Sequence, residues 1–360
     1  MTIRVAVDAM GGDFAPHAIV EGVVDTLAVR SDLEVMLVGD KTVIEREVDG
    51  YGSGAGSDAP AHDAGVAEEP RLADWRSRLQ IIHASEVVGM DESPVDALRQ
   101  KKDSSIAVLV GLASEGRADA IVSAGNTGAF AAACQLRMKP LACVARPGIA
   151  VTVPSFHGPF VLCDVGANIQ AKPRHLHEYA VLASLYAERI IGIEKPRVAL
   201  VSIGEESGKG TGLVKQTHAL LAAEKTINYV GNAEGRELFE NRCDVAICDG
   251  FVGNIILKFV EGLAEGLFRT IGREFEAEPE ALRSRFVGAL EKVWQQHDFR
   301  RYGGAPLLGI NGAAIICHGR SNAYAIHNAI EAAVRFVSLN LNEEISNRLS
   351  AIAAPIRSTV

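Results

Sequence analysis

Six short apolar runs recur along this chain of 360 residues, and a polar loop containing glycine directly follows each of them. The runs occupy residues 3–7, 34–38, 120–123, 160–163, 198–202 and 245–248. They are apolar on both faces, which is typical of parallel strands that are covered by helices on both sides. Helical patterns lie between them, for example over residues 176–191 and 213–223. This alternation predicts a doubly wound α/β sheet with right-handed crossovers.

Composition and charge narrow the classes of function. Hydrophobic residues make up 48% and charged residues 22% of the chain, which are the proportions of a globular protein. The formal net charge of −9 argues against a general nucleic-acid binder, because phosphate backbones require a basic surface. No apolar run reaches the roughly 18–20 residues of a spanning helix. The start lacks the layout of a signal peptide, and the two features together predict a cytoplasmic protein.

Several common chemistries lack their sequence signatures. The six cysteines form no CxxC pair, so we expect buried, reduced thiols. The ten histidines form no zinc signature, and neither a metal nor a cofactor is predicted. No serine-hydrolase elbow and no dinucleotide-binding glycine motif follow the strands. The loop over residues 204–212 has the wrong spacing for a Walker A motif, which makes nucleotide hydrolysis a poor interpretation.

The pattern along the chain predicts one catalytic body over residues 1–340 and a C-terminal tail over 341–360. Residues 50–70 are rich in Gly, Ala, Asp and Pro and predict a flexible surface insert, with a functional lid as the alternative. Residues 263–301 predict an amphipathic helical hairpin. Its second helix carries an apolar stripe of Leu282, Phe286, Leu290, Val293 and Trp294. The stripe fits either packing in the core or a dimer interface, or contact with a membrane, an acyl chain or a partner.

In an open parallel sheet, ligands bind beyond the carboxyl ends of the strands, so the loops are the candidate sites. The loop after residue 123 predicts an anion site at a helix N-terminus, with Thr127 capping that helix. The loop after the first strand pairs two glycines with carboxylates that suit a hydroxyl, a lysine or a backbone donor. A structural cap is the alternative for both loops. The substrate-binding candidates here are Asp8, Gly11, Gly12, Gly125, Asn126, Thr127 and Gly128.

Three further loops carry the candidates for the reaction itself. Lys209 lies between Gly208 and Gly210, where little steric cover lets an ammonium group point at an anion; an ordinary surface lysine is the alternative. Asn254 offers an amide donor at a helix start, suited to a developing oxyanion, with a plain helix cap as the alternative. Further substrate-binding candidates in these loops are Asn168, Lys172, Gly208, Gly210 and Gly253.

These loops, in this order, resemble those of the bacterial phosphate acyltransferases, which make acyl phosphate from acyl–acyl-carrier protein. The resemblance covers residues 3 to about 337 and is carried by VDAMGGD (7–13), RADAIVSAGNTG (117–128), DVGAN (164–168), GEESGKG (204–210), GNAEGR (231–236), CDGFVGN (248–254), YGGAP (302–306) and HGRS (318–321). It implies a three-layer α/β/α, Rossmann-like, mostly parallel sheet related to phosphotransacetylase and isocitrate-dehydrogenase-like folds. It also implies that Lys209 and Asn254 are the essential catalytic residues.

The resemblance further implies the reaction and its partners. The expected substrates are acyl–acyl-carrier protein and inorganic phosphate, in phospholipid synthesis. The expected state is a homodimer at the cytoplasmic membrane surface, supplying a downstream acyltransferase that consumes acyl phosphate. An acidic carrier needs a local basic patch, for which the candidates are Arg269, Arg273, Arg283 and Arg285. The alternatives are a phosphotransacetylase-like enzyme that uses acyl-coenzyme A, and a non-catalytic phosphate or acyl-chain sensor.

Overall fold

A computed structural model describes residues 2–51, 74–276 and 278–357. The chain divides into two compact units, one built from residues 1–147 and 300–360 and the other from residues 148–299. The sequence predicted a single body over residues 1–340. The division could not be predicted, because the pattern of strands and helices does not change at either boundary. The insert expected over residues 50–70 falls outside the described residues beyond Tyr51.

The first unit begins with strands and helices in alternation. They are β1 (Ile3–Asp8), α1 (His17–Val29), β2 (Leu33–Gly39), α2 (Lys41–Gly50), β3 (Leu79–His83), α3 (Pro94–Gln100), α4 (Ser105–Ser114), β4 (Ala120–Ser123) and α5 (Thr127–Arg137). Strands β1, β2, β3 and β4 are all parallel to their neighbours. Side chains capping the helix starts fix where helices begin: Asp40 accepts the N–H of Val43, 3.1 Å away, at the start of α2.

The second unit is continuous in sequence. Its elements are β5 (Gly148–Val153), β6 (Phe160–Cys163), α6 (Pro173–Tyr186), β7 (Arg197–Val201), α7 (Gly212–Ala223), β8 (Asn228–Ala233), β9 (Val245–Ile247), α8 (Gly250–Glu276) and α9 (Glu280–Gln296). Its strand order is β5-β6-β9-β7-β8. The β5–β6 pair is antiparallel, whereas β6, β9, β7 and β8 run parallel. Parallel neighbours place the ends of β6, β9 and β7 at one edge of the sheet.

The chain then returns to the first unit. It adds β10 (Ala305–Leu308), β11 (Ala313–Ile316), α10 (Ala323–Ser338) and α11 (Leu341–Arg357), and the strand order of this unit is β3-β2-β1-β4-β11-β10. Strand β11 is parallel to β4 and antiparallel to β10. The segment expected as a C-terminal tail is therefore helical through Arg357. Its apolar residues recur every four positions, so that Leu341, Ile345 and Leu349 are buried on one face.

The predicted fold class, an α/β protein with a mostly parallel sheet, is confirmed. All six predicted strands are present, and their central residues, such as Val5, Val122 and Leu162, are fully buried. Five further strands were not predicted from the sequence, because they are short or interrupted by polar residues: β3, β5, β8, β10 and β11. The helix expected to open near Asn254 and the first helix of the hairpin expected over residues 263–301 are one continuous helix, α8, which begins at Gly250.

Candidate active site

The loop that carries Lys209 joins β7 to α7 at the carboxyl edge of the second unit's sheet. The N–H of Lys209 donates to the carbonyl of Glu206 over 3.0 Å, which closes a tight turn. The side chain of Lys209 is exposed, and its stem lies close to Gly204. Gly208 and Gly210 flank it in the same loop. The helix that follows is capped by Thr211, whose hydroxyl accepts the N–H of Val214 over 3.3 Å. The ammonium group is thus presented to solvent from a loop held at both ends.

Asn254 lies in the second turn of α8, which follows β9. Its amide nitrogen donates to the carbonyl of Val165, 3.1 Å away, in the loop after β6. A carboxamide carries two hydrogens, so the group retains a second donor. The side chain is exposed. Because β9 lies between β6 and β7 and runs parallel to both, the loops that carry Asn254 and Lys209 are adjacent at one sheet edge.

Gly253 lies where α8 packs tightly against the loop after β6. A Cβ atom added at this position would collide with the main-chain carbonyl oxygen of Asp164. Only glycine therefore lets the first turn of α8 approach the loop after β6 so closely. The contact locks the two loops together directly beside Asn254. Gly253 thus has a structural role in this contact, and its role in substrate binding stays a prediction.

The loop after β6 is organised around a buried carboxylate. Asp164 accepts the N–H groups of Ile149, Gly166, Ala167 and Asn168 over 2.7–3.2 Å. Burial raises the pKa of Asp164 above its ordinary value, and these N–H groups act in the opposite direction. The carboxylate of Asp164 thus holds the DVGAN segment in a turn, and this turn places the Val165 carbonyl where Asn254 can donate to it. Asp164 shapes the site, and it was not among the residues predicted from the sequence.

The two other candidates in this loop differ in their exposure. The side-chain amide nitrogen of Asn168 donates to the Tyr179 hydroxyl over 2.7 Å, and the main-chain carbonyl of Asn168 accepts the N–H of Gly250 over 3.0 Å. Asn168 therefore ties its loop to α6 and to the start of α8. Lys172 is exposed at the start of α6, where its backbone N–H donates to the His175 ring over 3.2 Å. Of these two residues, Lys172 keeps a side chain turned to solvent.

In the first unit, the ends of β1, β4 and β11 form a second cluster of loops. Asp8 is buried and accepts the hydroxyl of Ser123 over 2.8 Å and the N–H of Met10 over 3.2 Å. Burial raises the pKa of the Asp8 carboxyl above its ordinary value. A Cβ atom added at Gly11 would lie 2.5 Å from the nitrogen of Gly125, so these two loops interlock. The buried Asp8 carboxylate therefore joins the loop after β1, through Met10, to the end of β4, through Ser123.

Asn126, and not Thr127, caps α5. Its Oδ1 accepts the N–H of Ala129 over 3.0 Å, which corrects the expectation that Thr127 forms the cap. Its amide nitrogen lies 3.0–3.2 Å from three carbonyls, those of Gly89, Met90 and Glu92, so its two hydrogens are shared among them. The Asn126 side chain is thus committed to the protein. Asn126 caps the helix in place of Thr127, and its amide also holds the loop before α3. That contact cannot be predicted from the local sequence.

The remaining candidates of this cluster lie around that helix start. Thr127 and Gly128 form the first turn of α5, and Thr127 is exposed. Gly12 follows Gly11 in the loop after β1, close to the carbonyl of Gly319. The next residue, Asp13, donates its N–H to the same Gly319 carbonyl over 2.7 Å. The candidates from Asp8 to Gly128 therefore share one unit, and those from Asn168 to Asn254 share the other.

Cysteines close to the candidate residues are unsuited to nucleophilic attack. Cys163 and Cys248 are buried at the ends of β6 and β9, and burial raises the pKa of both thiols well above the ordinary value. Both remain protonated at neutral pH. Within the described ranges, no group of three His, Cys, Asp or Glu side chains has the arrangement of a metal site.

The helical hairpin differs in detail from its predicted form. Phe286 stacks on Phe275, and Trp294 meets Phe268 edge to face with ring centroids 4.8 Å apart, so these residues join α9 to α8. The stripe expected on one face of α9 is therefore divided: Leu282 and Val293 stay exposed. A longer row lies on α8, where five exposed apolar side chains recur every four residues: Phe251, Ile255, Phe259, Leu263 and Leu267.

The expected basic patch on the hairpin is only partly available. Arg269 pairs with Glu265 one turn earlier, with 3.0 Å between Nη2 and Oε1. Arg273 and Arg285 are exposed. The side chain of Arg283 lies outside the described residues. Among the helices of the described ranges, none is long and apolar enough to cross a membrane.

Comparison with known proteins gives consistent matches. The family model described as "Fatty acid synthesis protein" matches residues 3–344. A curated "Phosphate acyltransferase" from Nitratidesulfovibrio vulgaris is 42% identical over 351 residues, which are 96% of this chain and 95% of that protein. The protein of the same name from Heliobacterium modesticaldum is 43% identical over 356 residues, 98% of this chain and 100% of that protein. The resemblance found in the sequence is thereby confirmed.

Solved structures support the fold. A phosphotransacetylase from Streptococcus pyogenes gives a TM-score of 0.58 at 15% identity, covering 93% of this chain and 94% of that one. A phosphotransacetylase from Staphylococcus aureus gives 0.55 at 13% identity, with the same coverage. Likeness at this level of identity concerns the α/β architecture alone.

Proposed function

This chain belongs to the fatty acid synthesis protein family, and we propose that it transfers an acyl group from acyl–acyl-carrier protein to inorganic phosphate. The products are acyl phosphate and the free carrier thiol, for phospholipid synthesis. The observation that carries the proposal is the adjacency of two loops at one sheet edge, one presenting the Lys209 ammonium and the other the Asn254 amide. The names of the curated relatives point to the same activity.

The reaction needs no nucleophile from the protein. Hydrogen phosphate attacks the thioester carbonyl carbon with a charged oxygen, and a C–O bond forms while the carbonyl oxygen becomes an oxyanion. When that intermediate collapses, the C–S bond breaks and the carrier thiolate leaves. One negative charge stays on acyl phosphate and one departs on the thiolate. The protonated, buried state of Cys163 and Cys248 agrees with this direct route.

Lys209 and Asn254 divide the electrostatic work. The ammonium of Lys209 binds hydrogen phosphate, which is a dianion. It also offsets the repulsion between the phosphate and the developing oxyanion. The second hydrogen of the Asn254 amide stabilises the oxyanion, since the first is fixed on Val165 and orients the group. A preorganised donor of this kind contributes about 10²–10³ in rate. Lys172, exposed beside the same loops, adds positive charge near the phosphate.

A second anion contact is proposed at the start of α5. The first N–H groups of a helix lack partners within the helix and favour a negative charge. Because the Asn126 side chain is occupied, the backbone N–H groups of Thr127 and Gly128 are the donors. Their ligand is a phosphate group of the substrate, either inorganic phosphate or the phosphodiester of the carrier's prosthetic arm.

The exposed row on α8 supports association with a surface. Exposed apolar patches of this length mark contacts with membranes or partners. We assign the row to the cytoplasmic membrane surface, with Arg273 and Arg285 meeting acidic lipid or the acidic carrier. The working form is a homodimer that passes acyl phosphate to a downstream acyltransferase consuming it.

One assay tests the proposed activity against its alternatives. Purified protein is mixed with palmitoyl–acyl-carrier protein, and free thiol is followed with and without phosphate. Phosphate-dependent release of carrier thiol, with formation of acyl phosphate, supports the proposal. Equal or faster turnover of palmitoyl-coenzyme A identifies the phosphotransacetylase-like alternative. Binding of phosphate without turnover of either thioester identifies the sensor.

A further inference from the structure

The loop that carries Lys209 is fastened by a side chain from another strand. Asn232, on β8, is fully buried. Its amide nitrogen donates to the carbonyl of Glu206 over 3.0 Å and reaches that of Gly204 at 3.5 Å. The Glu206 carbonyl is the same group that accepts the N–H of Lys209. A single carbonyl therefore links the buried amide to the backbone of the lysine.

A β-bulge aims Asn232 at this loop. Between Val198 and Leu200 of β7, the pairing register with β8 shifts, so that Tyr229 and Asn232 lie opposite them. Gly231 supplies the required backbone conformation, with a φ of +96°. Bulges re-aim side chains and are frequent beside active sites. The irregularity of β8 is thus the feature that brings its amide under the loop.

The other end of the amide is anchored as well. The oxygen of Asn232 accepts the Tyr229 hydroxyl at 3.5 Å, and that hydroxyl is 2.8 Å from the His218 ring on α7. A buried amide is costly unless its groups are hydrogen-bonded, and here its donors are directed to the lysine loop. Residues 205–209 of that loop are exposed, so contacts from beneath determine its conformation.

We propose that Asn232 is a positioning residue that holds the Lys209 loop in the conformation that binds phosphate. It acts through the Glu206 carbonyl and touches no substrate. The inference rests on the proposed function in that Lys209 is taken to bind phosphate. Its consequence is selective: loss of the amide weakens the use of phosphate and leaves recognition of the acyl carrier unchanged.

The test compares Asn232→Ala and Asn232→Asp with a control, Asn228→Ala. Asn228 lies on the same strand, at the end away from the Lys209 loop. Its amide nitrogen donates to the main-chain carbonyl of Lys195 over 3.3 Å. We expect kcat/KM for phosphate to fall by about 10² in both Asn232 variants, as misplacement of a reacting group by about 1 Å can cause. KM for the acyl carrier should not change. A normal KM and kcat for phosphate in a folded Asn232→Ala protein overturn the proposal.

A second measurement does not depend on turnover. Lysines are labelled with an amine-reactive ester, and mass spectrometry gives the rate at Lys209 relative to Lys215, an exposed lysine on α7. Without phosphate, this ratio should change in Asn232→Ala and stay constant in Asn228→Ala; an unchanged ratio in Asn232→Ala contradicts the positioning role. If Asn232→Ala does not fold, Tyr229→Phe, which removes one partner of the amide, takes its place; its ratio should differ from that of the wild type, and an unchanged ratio contradicts the positioning role.

The two hypotheses fail in distinguishable ways. If the wild-type protein shows neither turnover nor protection of Lys209 by phosphate, the proposed function is wrong, and the labelling ratio alone then decides the role of Asn232. If the wild type is active and protected, and Asn232→Ala keeps its phosphate kinetics and its labelling ratio, only the positioning role is wrong.

Discussion

The amide of Asn254 donates to the main-chain carbonyl of Val165, 3.1 Å away, and this bond joins the start of α8 to the loop after β6. The acceptor is held in place by the turn around Asp164, and the donor by the packing of Gly253 against that turn. An amide restrained in this way has little freedom to rotate. Its second hydrogen therefore has a fixed direction, which is the requirement for stabilising an oxyanion without reorganisation.

Asn254→Asp replaces an amide donor with an oxygen of nearly the same size. We expect kcat to fall by about 10²–10³, at least as far as in Asn254→Ala, because a carboxylate also repels the phosphate and the Val165 carbonyl. Steady-state kinetics with acyl–acyl-carrier protein give the values. Retained activity in Asn254→Asp means that the amide serves only as a structural tie.

Lys209→Ala should abolish phosphate-dependent turnover and leave the unfolding temperature unchanged, since the side chain is exposed. The matched control is Lys215→Ala, which removes an exposed lysine from the same segment of chain and should retain normal activity. Thermal unfolding and thiol release are measured on all three proteins. A folded Lys209→Ala protein with near-normal turnover excludes the assigned role.

Asn126→Asp keeps the oxygen that caps α5 but removes the donor to the carbonyls of Gly89, Met90 and Glu92. We expect the free energy of unfolding to fall by about 2–4 kcal/mol, at about 1 kcal/mol for each lost bond together with repulsion between oxygens. Asn322→Ala, which removes a cap from α10 at Ala325, is the comparison and should cost about 1 kcal/mol. Equal urea midpoints for the two variants contradict the triple contact.

Crystals grown or soaked in phosphate should contain an anion beside Lys209 or at the backbone N–H groups of Thr127 and Gly128. Both places combine positive charge or free N–H groups with exposure. Anomalous scattering from a thiophosphate soak distinguishes the ligand from water. Anions found only at other positions exclude both sites.

Phe259→Glu combined with Leu263→Glu places two charges in the exposed row on α8. We expect the wild type to sediment with vesicles of acidic phospholipid, modestly and reversibly, and the double variant to stay in solution with an unchanged unfolding temperature. Leu220→Glu, at an exposed leucine on α7, should bind like the wild type. Unfolding or loss of the oligomer in the double variant assigns the row to packing instead.

The elements predicted best were those with local causes. The strand before Asp164 is a continuous apolar run and the one before Asp8 is apolar apart from Arg4, and the loops that follow both strands are rich in glycine and carboxylate residues. What a polar side chain faces was harder to predict, because it depends on residues far along the chain. Asn126 is committed to a segment more than thirty residues earlier, and Asn232 is aimed by a bulge. Phe286 and Leu282 share a sequence stripe, yet Phe286 stacks on Phe275 of α8 whereas Leu282 stays exposed, and the stripe itself does not distinguish the two.

The order of strands in the first unit has a consequence for synthesis on the ribosome. Strand β11 pairs with β4, but almost two hundred residues separate them in the chain, and the entire second unit is translated in between. In a nascent chain that carries β1 to β4, the edge of β4 that pairs with β11 therefore stays unpaired while residues 148–299 are synthesised. The first unit is completed only after the second unit has been translated, and until then the edge of β4 is an unpaired strand edge, which is the kind of surface that favours aggregation.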